Sequence, residues 1–104
     1  MNNLEYGNLE DIIKNNDVVF FVMNDCSACE NFVVMAKKIL ESKLRFCIMN
    51  VDESQFAKII AVNIGVRAFP TIVLIKNEEM KQYVGNYSEN KFKSILKDFF
   101  SIDF

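Results

Sequence analysis

The chain has no histidine, a single proline (Pro70) and only three glycines (Gly7, Gly65 and Gly85) in 104 residues. Without histidine, His-based zinc sites, Ser-His and Cys-His catalysis and a histidine pH switch are all excluded. No apolar run is long enough to span a bilayer, so no membrane partner is expected. The opening residues lack a basic region followed by an apolar run, so no secretion signal is read and a cytoplasmic protein is expected. Excess charge is also missing. A net charge of −2 offers neither nucleic acid nor an anionic membrane an electrostatic footprint. Internal repeats, low-complexity segments and linkers are absent, which leaves residues 1–104 as one expected domain.

What remains is an ordinary globular composition, 51% hydrophobic and 25% charged. A chain of this size buries enough surface to fold without disulfide staples or a metal. Alternating strand and helix patterns fill it. Asn8 can cap a short helix over Leu9 to Lys14, whose first turn carries Glu10 and Asp11. "VVFFVM" (Val18 to Met23) is a continuous apolar run of strand length and reads as a strand buried on both faces. The period then changes: Cys29, Phe32, Val33, Ala36, Ile39 and Leu40 fall on one helical face. "RFCIMNV" (Arg45 to Val51) reads as a strand, Ser54 to Asn63 as a helix ended near Gly65, and "TIVLIK" (Thr71 to Lys76) as a strand. "KNEEMK" reads as a turn and "MKQYVG" (Met80 to Gly85) as the strand returning antiparallel. Ser88 caps a last helix with an apolar stripe of Phe92, Ile95, Leu96, Phe99 and Phe100. The order predicts an α/β fold. Strands separated by helices are expected to run parallel, an antiparallel C-terminal edge hairpin completes the mixed central sheet, and helices cover both faces.

Within this order "NDCSACENF" places Cys26 after a buried strand and Cys29 in the first turn of the next helix. In a reducing compartment a close cysteine pair is more often catalytic or metal-binding than structural. Three residues of helix nearly complete a turn, so the two sulfurs come within bonding range. The helix N-terminus favours negative charge and hence a Cys26 thiolate, the nucleophilic form of the thiol. Cys26 would attack a substrate disulfide, and Cys29, mostly covered, would then displace the substrate. Two alternatives stay open. Four-thiolate zinc needs a second pair, and only Cys47 remains, so a metal would have to be shared between two chains. The blander reading is two reduced thiols in a helix turn. Cys47 itself is read as a small core residue, Met23, Met35 and Met49 as gap-fillers, and Val34 as an isolated exposed apolar residue.

"GVRAFPT" (Gly65 to Thr71) puts Pro70 at the start of a strand that otherwise reads as central, where proline is normally excluded. A tight turn with a cis Phe69–Pro70 bond is expected there. With the apolar strand before Cys-x-x-Cys, "NVDES" after the next strand, the hairpin ending in "VG" and the amphipathic last helix, the chain resembles the thioredoxin family over nearly its whole length. The resemblance implies a thioredoxin fold and a cytoplasmic protein disulfide reductase, with Cys26 as nucleophile and Cys29 as resolving thiol. It implies substrate contacts from Asp25, Ser27, Ala28, Phe69, Pro70, Val84 and Gly85, with the Phe69 backbone binding an extended partner segment. It requires no bound cofactor or metal, and implies protein disulfides as substrates, a flavin-dependent thioredoxin reductase as electron source and a monomer. A glutaredoxin-like role is a close variant, but Gly85 is followed by Asn86 rather than a second glycine.

The chain departs from the family pattern at several points. Ser27-Ala28 replaces the usual Gly-Pro, Asp25 the usual tryptophan, and Val34 the helix proline. The buried aspartate and its lysine partner correspond to Phe20 and Ile48, a paired loss that leaves no single buried charge. That aspartate is thought to help deprotonate the second cysteine, so resolution by Cys29 is expected to be slow near neutral pH. A carboxylate at Asp25, with Glu30 nearby, opposes thiolate formation at Cys26. The alternative function is a binding or chaperone-like module that keeps the fold with little turnover.

Overall fold

The computed structural model describes residues 9–104. Strand β1 (Val18–Val22) is buried at all five positions. Both of its edges are paired and both of its faces covered, which is what an unbroken apolar run requires. The sheet order is β2 (Phe46–Asn50), β1, β3 (Thr71–Lys76), β4 (Glu79–Val84). Helices α1 (Leu9–Asn15), α2 (Ser27–Leu40), α3 (Gln55–Asn63) and α4 (Glu89–Phe100) complete it. The proposed α1 cap, Asn8, lies outside the described residues.

Alternation along β1 splits the core in two. Val18, Phe20 and Val22 face α2 and α4 and pack with Cys29, Phe32, Leu40, Phe92 and Leu96. Val19 and Phe21 face the other way, onto Ala57, Ile60 and Ala61 of α3, with Ile12 and Ile13 of α1 alongside. Each large apolar side chain removed from water contributes about 1.5–3 kcal/mol, so this two-sided burial is the main fixing force for the sheet. Ser54 and Ser88 cap α3 and α4, their side chains accepting from Ala57 N–H and Lys91 N–H.

Strand direction differs from the expectation at one place. β1 and β2 are parallel, but β3, although it follows a helix, runs antiparallel to β1. The connection leaves and re-enters at one end of the sheet: Asn50 is paired with Val22, and Thr71 with Phe21. α3, nine residues long, ends over the β4 edge, where the Ile64 carbonyl accepts from the Gln82 side chain. Residues 64–70 then bring the chain back to the starting end. The parallel rule holds only for a crossover that carries the chain to the opposite end. The hairpin turn is also tighter than the six residues assigned to it. Asn77 and Glu78 alone turn the chain, both with positive φ (52° and 70°), so β4 begins at Glu79. That two-residue geometry matches the twist of the flanking strands.

Asp17 and Arg45 clamp the entry to β1 and β2. The Asp17 carboxylate accepts from the Arg45 backbone N–H at 2.8 Å and from its guanidinium at 3.1 Å. Partial burial works against ionisation of Asp17, but the hydrogen bonds and charge of Arg45 outweigh it and hold the carboxyl below its usual value. A folded-state value below the unfolded one, about 3.9, gives a contribution complete above that pH and lost as pH falls through the lowered folded value. The urea midpoint of Asp17→Asn is therefore expected to lie below that of the unaltered protein by a steady margin from about pH 7 to about pH 5. That margin should shrink below about pH 4. A margin unchanged in acid would contradict the clamp.

Candidate active site

Cys26 is the N-cap of α2, with extended backbone (φ −122°, ψ 94°), and its sulfur accepts a hydrogen bond from Cys29 N–H at 3.1 Å. Glu30 N–H donates to the Cys26 carbonyl at 3.1 Å, the first bond of the helix. The two sulfurs are bonded, with the Cα atoms 5.2 Å apart. Cys26 is half-buried and Cys29 is 2% exposed. This is the arrangement a reactive pair needs: one sulfur at the positive helix end where a partner can reach it, the other held beneath it.

The loop carrying Cys26 is fastened from β2. Asn24 N–H donates to the Asp52 carboxylate at 2.8 Å, and the Asn50 side chain donates to the Asn24 side-chain oxygen at 3.0 Å. Asn50 also accepts from Asp52 N–H at 2.8 Å. These bonds give a local purpose to "NVDES", to which sequence reasoning assigned no individual role. Asp25 follows with positive φ (55°) and is exposed, as is Ser27, while Ala28 is half-buried.

The opposite flank comes from β3 and β4. The Phe69–Pro70 peptide bond is cis. Pro70 is buried and Phe69 half-buried. The Pro70 carbonyl accepts from Gly85 N–H at 3.0 Å, and Thr71 Oγ1 donates to the Ala68 carbonyl at 2.6 Å. The Thr71–Phe21 pairing sets Pro70 at the sheet end where β1 gives way to the Cys26 loop. Phe69 and Cys26 both pack against the α2-side core. Val84, 53% exposed, and Gly85 (φ 128°) continue this flank. The strand register thus sets Cys26, Pro70 and Val84 at the same end of the sheet, with Val84 and Gly85 on its β4 side.

Two positions account for what the core does beneath the pair. Phe20 is fully buried, its ring 6.0 Å from those of Phe32 and Phe46 in edge-on contact. Among the described residues Thr71 is the one buried polar side chain, so no buried carboxylate lies near Cys29. Ile48, level with Phe20 in the β1–β2 register, is 41% exposed on β2. Cys47 points to the other face, half-buried, where burial pushes its thiol up and away from the reactive thiolate form.

Sequence reasoning missed a cavity of about 410 Å³ between β2 and α2. Met23, Cys29, Val34 and Ile48 help line it. Val34 (57% exposed) is therefore not isolated, and Met23 (40% exposed) is not a core gap-filler: the loop after Val22 turns it out of the core. A larger cleft of about 610 Å³, beside Lys38, Lys43, Glu41 and Glu89, holds neither cysteine of the pair.

Among solved structures, the chain is similar to a mutant thioredoxin from Halobacterium salinarum, at 28% identity over 88% of this chain and 81% of that one, with TM-score 0.72. It is likewise similar to oxidised mitochondrial thioredoxin 3 from Saccharomyces cerevisiae, at 28% identity over 85% of this chain and 84% of that one, with TM-score 0.71. Among curated proteins, no match is found. The thioredoxin family model matches residues 2–98. With the mixed four-stranded sheet, helices on both faces and the Cys26–Cys29 pair at the head of α2, the chain belongs to the thioredoxin family.

Proposed function

We propose that the protein is a thiol–disulfide oxidoreductase that reduces disulfides in partner proteins. The observation that carries this reading is the Cys26 sulfur at the N-terminus of α2, accepting the Cys29 N–H and bonded to the Cys29 sulfur. In the reduced form that N–H and the helix end favour a Cys26 thiolate. The thiolate attacks one sulfur of a substrate disulfide, and the other substrate sulfur leaves with the bonding pair. The Cys29 thiolate then attacks Cys26, forms the internal disulfide and releases the second substrate thiol. Phe69, Pro70, Val84 and Gly85 would support an extended partner segment on the β3–β4 flank, with Asp25, Ser27 and Ala28 on the helix side. Electrons would come from a flavin-dependent thioredoxin reductase, and the protein would act as a cytoplasmic monomer without a cofactor of its own.

The purely apolar surroundings of Phe20 favour a second reading, a thioredoxin-fold binding module with little turnover. Reduction of a protein disulfide in the presence of thioredoxin reductase, compared between the unaltered protein and Cys26→Ser, separates the two. The oxidoreductase reading expects activity that Cys26→Ser abolishes, and equal rates would overturn it.

Asp25 tunes the same step, because a carboxylate one residue before Cys26 repels a thiolate there. In Asp25→Asn the pH midpoint for alkylation of Cys26 is expected to fall by several tenths of a unit, about the effect of one partly screened charge. Identical midpoints would show that the carboxylate does not act on Cys26.

A further inference from the structure

We propose that the cavity between β2 and α2 is a specificity pocket taking an apolar side chain of the partner protein that has a basic residue next to it. This rests on the disulfide-exchange reading above.

The cavity reaches Cys29 from the side opposite the Phe69–Pro70 flank: among the described residues β2 and β4 are the two outer strands of the sheet. Its apolar wall is Val22, Met23, Cys29, Val33, Val34 and Ile48. Of these, Met23, Val34 and Ile48 are large apolar residues exposed at 40%, 57% and 41%. Such residues scattered singly need no explanation, but three converging on one concavity that also touches Cys29, the resolving partner of Cys26, mark a binding surface. Polar groups complete the lining, and none of them is cationic. Asp25 and Glu30 contribute carboxylates, Asn24 and Asn50 amides. The clefts beside Lys38, Lys14 and Lys76 each mix lysine with acidic residues. The lining thus combines an apolar surface with two acidic residues and no cation, complementary to an apolar side chain with a cationic neighbour.

The pocket also adjoins the reactive end of α2: Asp25 precedes Cys26 in the chain, Cys29 is bonded to it, and both line the cavity. Residues close to a partner cysteine joined to Cys26 would therefore lie beside the pocket. Both Asn24 and Asn50 are fixed by hydrogen bonds, so the wall between the loop and β2 is formed before any partner binds.

Three symmetrical peptides test this, each with its cysteine held as a mixed disulfide to 2-nitro-5-thiobenzoate: Gly-Lys-Phe-Cys-Phe-Lys-Gly, its Glu-for-Lys version and its Ser-for-Phe version. The Cys26 thiolate of the reduced protein attacks the peptide sulfur, and coloured thionitrobenzoate leaves with the bonding pair. Cys29 then closes the internal disulfide and releases the peptide thiol. The Phe/Lys peptide is expected to exceed the Ser/Lys peptide about tenfold in kcat/KM. It should exceed the Phe/Glu peptide a few-fold at low salt, a margin that fades at about 1 M salt. Ile48→Ser and, independently, Val34→Ser should each reduce the Phe-over-Ser preference to about twofold. Equal rates for the Phe and Ser peptides, or a preference untouched by both substitutions, would overturn the pocket while leaving disulfide exchange intact. No reaction with any peptide would overturn both. A dimer seen by sedimentation and dissolved by Ile48→Ser would assign the surface to a second copy of the chain and likewise overturn the proposal.

Discussion

In Cys29→Ser, turnover of a protein disulfide is expected to fall by about three orders of magnitude while the first attack by Cys26 persists. Cys29 sits three residues from Cys26 with its sulfur already at bonding range. An intramolecular thiol so placed acts as though present at a concentration that no external thiol can match. Without it the mixed disulfide waits for a thiol from solution, and the protein accumulates covalently joined to its partner. Mass spectrometry of the trapped species reads this directly, and it would identify the partner. Turnover within about tenfold of the unaltered protein would show that Cys29 is not the resolving group. The unaltered protein should itself resolve the mixed disulfide faster as pH rises, because the core beneath Cys29 provides no buried carboxylate to take its proton.

Phe20→Ala is expected to destabilise the fold by about 3–5 kcal/mol. Phe20 is fully buried at the centre of the α2-side core, with edge-on contacts to Phe32 and Phe46. Phe32 in turn meets Phe92 of α4 at 5.2 Å between ring centroids. Removing the Phe20 ring opens a cavity that joins β1, α2 and β2, none of which can collapse far without breaking the sheet register. Against a total of about 5–15 kcal/mol for a domain, that loss is severe. A urea titration would read it as a lower midpoint with little change in slope. A loss under about 1 kcal/mol would mean that the core relaxes around the gap.

Much of this was legible in the sequence because it is local. β1 reads from five consecutive apolar residues, α2 and α4 from their stripes, and the capping serines from their chemistry. The cysteine pair was placed correctly because a strand followed at once by a helix fixes both sulfurs within one turn. Strand direction was not legible at β3: periodicity is the same forwards and backwards, and the connection's return to its starting end depends on where α3 meets β4. The shared cavity was hidden for a related reason. Met23, Val34 and Ile48 each look ordinary alone, and only the pairing of β2 with β1 beneath α2 brings them together. Likewise, the Asn24–Asp52 bond joins residues that no local pattern connects.

The proposed chemistry depends on the end of α2 making Cys26 the reactive thiol. The most direct measurement is alkylation of the fully reduced protein across pH, with Cys26, Cys29 and Cys47 followed separately by peptide mass. Cys26 should react first, with a midpoint below the value of about 8.5 for a free cysteine, and Cys47, its thiol pushed up by burial, last. A Cys26 midpoint at or above the free-cysteine value, or Cys47 reacting as fast as Cys26, would contradict it.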